Sequence, residues 1–279
     1  MSTGLPAWSP RVLRGVAAGI VVLNGFFPAL WILLTSLKTE AELVSKPITW
    51  WPQALTLANY RQAFTEQPLL HYMANSLIVA SLATLLSLGV SALAAYAIAR
   101  LNLRRRQAVL TCIVASSMFP LVTLLVPIFE TLRALGLLNT YTALVLPYTV
   151  LNLPVCTLVL VSFFQGIPRD LENAAMIDGC TRIGALVRIV LPLSAPGVFT
   201  AGILAFVNAW DEFLLALSLN ASAGMRTLPV GIALYQGEFS FPWPIISAAL
   251  IVAIVPMALL IALFQERVVG GLTQGGLKG

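Results

Sequence analysis

The stretch MANSLIVASLATLLSLGVSALAAYAIA, Met73–Ala99, contains no Asp, Glu, Lys or Arg. Roughly 20 apolar residues cross a bilayer as a helix, so this run reads as a membrane span. Its Ala, Ser and Gly content suits close packing inside a helix bundle. The uncharged window around it is Gln67–Ala99, and five others share its character: Gly15–Leu37, Gln107–Phe129, Ala134–Pro168, Ile189–Trp210 and Phe239–Gln265, each of at least 22 residues. Of the 279 residues, 59% are apolar and 10% charged, against about 25% charged in a soluble domain. A water-soluble globule is excluded, and so is disorder, because a chain this apolar cannot stay solvated. The expectation is an all-α, polytopic membrane protein with six transmembrane helices.

The first window follows Arg11 and Arg14 and superficially resembles a signal peptide. Its apolar run is longer than the roughly 7–15 residues of a signal core, and no small-x-small cleavage site follows before Lys38. It reads as a retained helix, Val16–Leu37. An external segment of some 35 residues comes next. It contains Trp50-Trp51-Pro52, read as interfacial anchors, and a short helical stretch, Leu57–Phe64. Span three begins near Ala108 and carries Pro120 and Pro127; span four, Tyr141–Phe164, carries Pro147 and Pro154. Proline in a spanning helix frees backbone carbonyls that other groups must satisfy. Both helices are therefore candidates to line a pathway, with packing kinks the equal alternative. Spans five and six are placed at Pro196–Leu217 and Ile245–Phe264.

Even-numbered spanning puts both termini on one side. That side gathers Arg11, Arg14, Arg100, Arg104, Arg105, Arg106, Arg169, Arg182, Arg188, Arg267 and Lys278; the other holds Lys38, Lys46, Arg61, Arg133 and Arg226. Positive residues are retained in the cytoplasm, so both ends are expected there. The net charge of +5 needs no nucleic acid to explain it. Cys112 and Cys156 fall inside spans and Cys180 in a cytoplasmic loop, so no disulfide framework is expected. His71 is the single histidine, and no metal-ligand cluster appears.

The loop after span four is unusually regular. Pro168 suits the start of a helix, and Asp170 and Glu172 sit near its positive end. Leu171, Ala174 and Ala175 share a face, and Gly179 is placed to end the helix. Thr181 can cap a second helix in which Ile183, Leu186, Val187 and Val190 repeat the same spacing until Pro192. This predicts a cytoplasmic, amphipathic helical hairpin over 165–195, too short to span. Its apolar stripes need cover from the bundle, from the lipid interface or from a partner.

The stretch resembles the EAA loop of permease subunits of ATP-binding-cassette importers, whose pattern is E-A-A-x3-G-x9-I-x-L-P. Ala174, Ala175, Gly179, Ile189, Leu191 and Pro192 fall at the required spacing, with Asn173 at the glutamate position and Glu172 one residue earlier. Gly136–Tyr141, Trp210-Asp211-Glu212-Phe213 and the closing Gly271–Gly279 look like the carbohydrate-uptake branch of these binding-protein-dependent inner-membrane components. The likeness covers nearly the whole chain, most closely the second permease of maltose-type systems. It implies a type I importer fold in which the hairpin docks on a nucleotide-binding subunit and transmits its closure. The residues so implicated are Leu171, Glu172, Asn173, Ala174, Ala175, Asp178, Gly179, Ile189, Leu191 and Pro192. Asn173 exchanges a charge-assisted contact with the motor for a neutral one. The implied organisation is residues 1–70 (tail, first span and external segment), a permease core over 71–266, and a cytoplasmic tail over 267–279.

Asp211 and Glu212 interrupt an apolar stretch. Counted from Pro196 at about 1.5 Å per residue, Asp211 lies roughly 22 Å along its helix, in the outer half of the bilayer. Asn208, Asp211 and Glu212 share a helical face, and Trp210 offers a ring for stacking on a pyranose. These four are the candidate substrate-pathway residues; closing an outer gate or meeting a second permease is the competing reading.

No G-x-x-x-x-G-K-[ST] loop occurs and no nucleophile–base pair is evident, so the chain is not expected to be an enzyme or to bind a cofactor itself. By resemblance, ATP and Mg belong to two partner nucleotide-binding subunits. A second permease, an extracytoplasmic solute-binding protein and the lipid of a bacterial inner membrane complete the expected partners. The solute would be a sugar, oligosaccharide or glycoside. The rival reading is an autonomous ion- or proton-coupled secondary transporter, against which the lack of an internal repeat weighs.

Overall fold

The computed structural model describes residues 10–101, 103–237 and 240–276, and every regular element among them is helical. In chain order these are α1 (Pro10–Ser36), α2 (Glu40–Val44), α3 (Ala58–Glu66), α4 (Leu69–Arg100), α5 (Arg106–Ser116), α6 (Leu121–Ala134) and α7 (Tyr141–Gly166). Then follow α8 (Arg169–Ile177), α9 (Arg182–Ala185), α10 (Leu191–Leu193), α11 (Ala195–Trp210), α12 (Leu214–Leu219), α13 (Leu228–Ala233) and α14 (Trp243–Gly276). Of the expected tail over 267–279, Leu277, Lys278 and Gly279 lie outside the described residues.

Among the described residues, four helical stretches are long and apolar enough to cross a membrane unbroken: Arg14–Ser36, Leu69–Arg100, Tyr141–Gly166 and Trp243–Phe264. The expected third and fifth spans are bent. Arg106–Ser116 meets Leu121–Ala134 at 88°, and Arg182–Leu193 meets Ala195–Trp210 at 84°; with each pair taken as one span the total is six. The first bend has a local cause. Pro120 has no N–H and is held extended at ψ 128°, while the hydroxyls of Ser116 and Ser117 each donate back at 2.7 Å to carbonyls of the preceding turn. Span five also stops early, because α11 ends at Trp210 and not at Leu217.

The chain divides into two compact units, formed by the described parts of Met1–Pro68 with Ile232–Val255, and of Leu69–Gly231 with Pro256–Gly279. In the first, Lys38 is not the exposed outer-face charge its position in the sequence suggests. It is buried, its ammonium 5.2 Å from the Trp31 ring centre and donating to the Thr49 carbonyl. Trp50 stands edge-on to Trp31 at 5.6 Å, and the Tyr235 hydroxyl donates to the Ala63 carbonyl.

In the second unit, α4 and α7 form the central seam. Ala80, Ala83, Ser87, Ser91 and Ala95 recur every three or four residues along α4, and all are buried. Side chains this small let backbones approach closely. The hydroxyls of Ser87 and Ser91 consequently reach the Thr149 and Leu153 carbonyls across the seam, at 3.2 and 3.4 Å. Cys156 joins this core, whereas Cys112 is exposed on α5, on a different side of that helix from Leu110 and Ile113, which pack against the core.

Candidate functional site

The hairpin forms as its residues require. Pro168 precedes α8 as its N-cap. At the other end the Cys180 amide donates to Ala175 O at 2.9 Å and the Gly179 amide to Met176 O at 3.1 Å. This is the paired closure of a Schellman motif, with Gly179 at φ +90° in the position that favours glycine. Thr181 then accepts from the Gly184 amide at 3.0 Å and caps α9. A π turn, Leu186–Val190, follows. Pro192 cannot donate to a helical carbonyl, and the wider turn absorbs the interruption.

Burial divides the hairpin differently from its apolar spacing. Leu186 and Val190 enter a core with Ala95, Phe164 and Ala201, but Ile183 and Val187 on the same expected stripe remain exposed. On α8 the inward residues are Glu172 and Ala175, while Leu171, Asn173, Ala174 and Ile177 face out, Ile177 at 86%. The cause is electrostatic. Glu172 Oε1 accepts from the Tyr96 hydroxyl, and Oε2 lies 3.4 Å from Arg100 Nε. Arg100 also donates at 2.9 Å to the carbonyl of Ile167, the C-cap of α7. These contacts turn α8 so that Glu172 and Ala175 point into the chain. Asp178, Gly179 and Pro192 are exposed, and Ile189 and Leu191 half-buried. The sequence treated Arg100 only as one loop charge among four and left Tyr96 unmarked. An arginine at the end of an uncharged helix, one turn after a tyrosine, was the signal available.

The second set of candidates separates. The helix ends at Trp210, so Glu212 does not continue the face of Asn208 as expected. Its carboxylate instead accepts from the Leu215 and Ala216 amides at 2.8 and 3.1 Å, capping α12, and from the Tyr148 hydroxyl at 2.5 Å. Trp210 is only 3% exposed and stacks on Phe206 at 5.8 Å, which leaves no free ring face for a sugar. Asn208 and Asp211 are exposed. Asn208 donates at 3.2 Å to Asn152, a polar residue inside the uncharged window of span four that the sequence reading passed over.

Beyond α12 the loops are tied by side-chain amides. Asn75 donates to the carbonyls of Gly224 and Arg226 at 3.0 and 2.9 Å and accepts from the Tyr141 hydroxyl. His71 lies 2.8 Å from the same Gly224 carbonyl. Asn139, at φ +59°, accepts from the Ser222 amide at 2.8 Å.

Comparison with known proteins agrees with this geometry. Residues 87–273 match the family described as binding-protein-dependent transport system inner membrane component. The sulfoquinovosyl glycerol transport system permease protein SmoH of Agrobacterium fabrum is 70% identical, over 100% of this chain and 98% of that protein. The trehalose/maltose transport system permease protein MalG of Thermococcus litoralis is 38% identical, over 96% of this chain and 97% of its own length. Among solved structures, a bacterial ABC transporter involved in import of the acidic polysaccharide alginate superposes with TM-score 0.78 at 19% identity, over 94% of this chain and 99% of that one. With the family match covering residues 87–273 and both relatives matching nearly end to end, the chain belongs to the inner-membrane components of binding-protein-dependent transport systems, as a permease of a sugar-importing ATP-binding-cassette transporter.

Proposed function

We propose that this permease imports sulfoquinovosyl glycerol or a closely related sulfonated glycoside. The observation that carries the reading is the 70% identity, end to end, to a permease named for that solute. It acts with a second permease, two nucleotide-binding subunits that hold ATP and Mg, and an extracytoplasmic solute-binding protein. Both termini lie in the cytoplasm, with residues 1–70 leading into a permease core over 71–266 and a cytoplasmic tail over 267–279.

The hairpin over 165–195 is the coupling element. Its exposed Leu171, Ile177, Ile183 and Val187 supply an apolar surface for a motor subunit, and Asn173 and Ala174 stand beside them. Asn208 and Asp211, exposed at the end of α11, are acceptors suited to sugar hydroxyls. Solute moves by alternating access, a population shift biased by nucleotide and bound solute.

The test is uptake by the complete complex in proteoliposomes with its binding protein. Uptake of sulfoquinovosyl glycerol that requires internal ATP, with maltose and trehalose excluded, is the expected result. Uptake of maltose but not the sulfonated glycoside would overturn the substrate, and gradient-driven uptake by this chain alone would overturn the assembly.

A further inference from the structure

Two ion pairs join described residues. Glu130–Arg133 is exposed on α6, whereas Arg100–Glu172 is buried, its side chains 3% and 9% exposed. A buried pair contributes little net stability, because desolvation opposes the attraction, while loss of one partner strands the other charge. Its geometry is what distinguishes it. Arg100 ends α4, donates to the carbonyl of Ile167, the C-cap of α7, and lies against the Glu172 carboxylate of α8. One guanidinium thus ties three helices at the point where the hairpin leaves the bundle. The Tyr96 hydroxyl, one turn back along α4, completes the carboxylate. Arg100 Nε has no hydrogen bond of its own at 3.4 Å, so Tyr96 supplies the directional contact and Arg100 the charge.

An apolar junction would let α8 slide, because dispersion contacts are not directional. Here the Tyr96 hydroxyl bond orients the Glu172 carboxylate and the buried Arg100 charge holds it in place. Glu172 and Ala175 are the inward residues of a helix whose other side is exposed.

We propose that Glu172, Arg100 and Tyr96 form a latch that makes α8 and α4 move together, so that Glu172 is a positioning residue for coupling and not itself a motor contact. The proposal rests on α8 docking against the motor. In the latch, a displacement of α8 passes to Arg100 and then along the small-residue seam of α4 and α7.

The experiment uses the assembled complex in proteoliposomes with loaded binding protein, and reads solute transported per ATP hydrolysed. Glu172→Gln and Arg100→Gln are each expected to lower that ratio at least about tenfold, within the range of a coupling free energy. Basal ATP hydrolysis and recovery of the motor subunits should stay within about twofold of the parent. The double variant should be no worse than the poorer single, the signature of two residues acting as one unit. Tyr96→Phe, which removes one hydroxyl and leaves the ring, is expected to lower the ratio by a smaller factor, and Glu172→Asp to recover part of the loss. Unchanged ratios in the singles, or losses that multiply in the double, overturn the latch. Should the singles fail to assemble, an unchanged ratio for Tyr96→Phe in an intact complex overturns it equally. A cysteine at exposed Ile177 in the same preparations reports docking. No crosslink to the motor in the parent complex overturns the docking reading together with the latch, whereas a crosslink with unchanged ratios overturns the latch alone.

Discussion

Gly179 shows how much one residue decides at this scale. Its φ of +90° is one that L side chains avoid, and nothing lies within 4 Å of where a Cβ would stand. The constraint is therefore backbone strain, not crowding. Gly179→Val should cost about 1–3 kcal/mol of local stability and reduce solute-stimulated ATP hydrolysis; wild-type stimulation in that variant would remove the turn from the mechanism. Adjacent acids should behave oppositely in the same assays. Glu212→Ala removes a cap worth about 0.5–2 kcal/mol and strands the Tyr148 hydroxyl, so the unfolding temperature of the complex should fall. Asp211→Asn should leave that temperature unchanged and lower uptake. Glu42 gives a pH dependence. The Thr49 hydroxyl and Gln53 amide hold its carboxyl below the usual carboxylate range. A depressed folded pKa contributes stability above the unfolded value, which is lost as pH falls through the folded one. Thr49→Val should therefore move the acid-induced change in tryptophan fluorescence to higher pH.

Between elements, the close contacts are made by small residues against large ones. A Cβ on Gly231 would stand 2.1 Å from Tyr72 Cδ2, and one on Gly197 would stand 2.3 Å from Phe163 Cγ. Both aromatic rings lie in packed helices, so Gly231→Ala should cost about 1–3 kcal/mol by overpacking, read as a lower unfolding temperature. The small-residue seam was legible in Met73–Ala99, because Ala and Ser recur there every three or four residues. The break at Ser117–Pro120 was not. Pro120, Pro127, Pro147 and Pro154 look alike in sequence, yet only at Pro120 do two preceding serines turn back on their own helix and end it. Glu212 leaves the face of Asn208 for a similar reason. Spacing of i, i+3 and i+4 holds only while a helix continues, and α11 stops at Trp210.

For the whole molecule, membrane character follows from charge spacing alone, and the hairpin after span four from the turn and cap chemistry of Pro168, Gly179 and Thr181. Sidedness follows only from arginine and lysine bias. A membrane-impermeant thiol reagent should label a cysteine at Arg105 only after permeabilisation, and one at Glu40 in intact cells. The reverse pattern would invert the topology.

The sequence by itself determined that this chain lives in a bilayer, that a capped hairpin follows its fourth span, and where that hairpin turns. Those features depend on local quantities: the length of uncharged runs, the Gly179 and Thr181 turn chemistry, and the missing N–H of Pro192. Only the tertiary structure decided which face of α8 is available and which is occupied, because Tyr96 and Arg100 lie 76 and 72 positions before Glu172 along the chain. Attraction across that separation exists only once the fold has brought Tyr96 and Arg100 within reach of Glu172, and no periodicity within α8 encodes it.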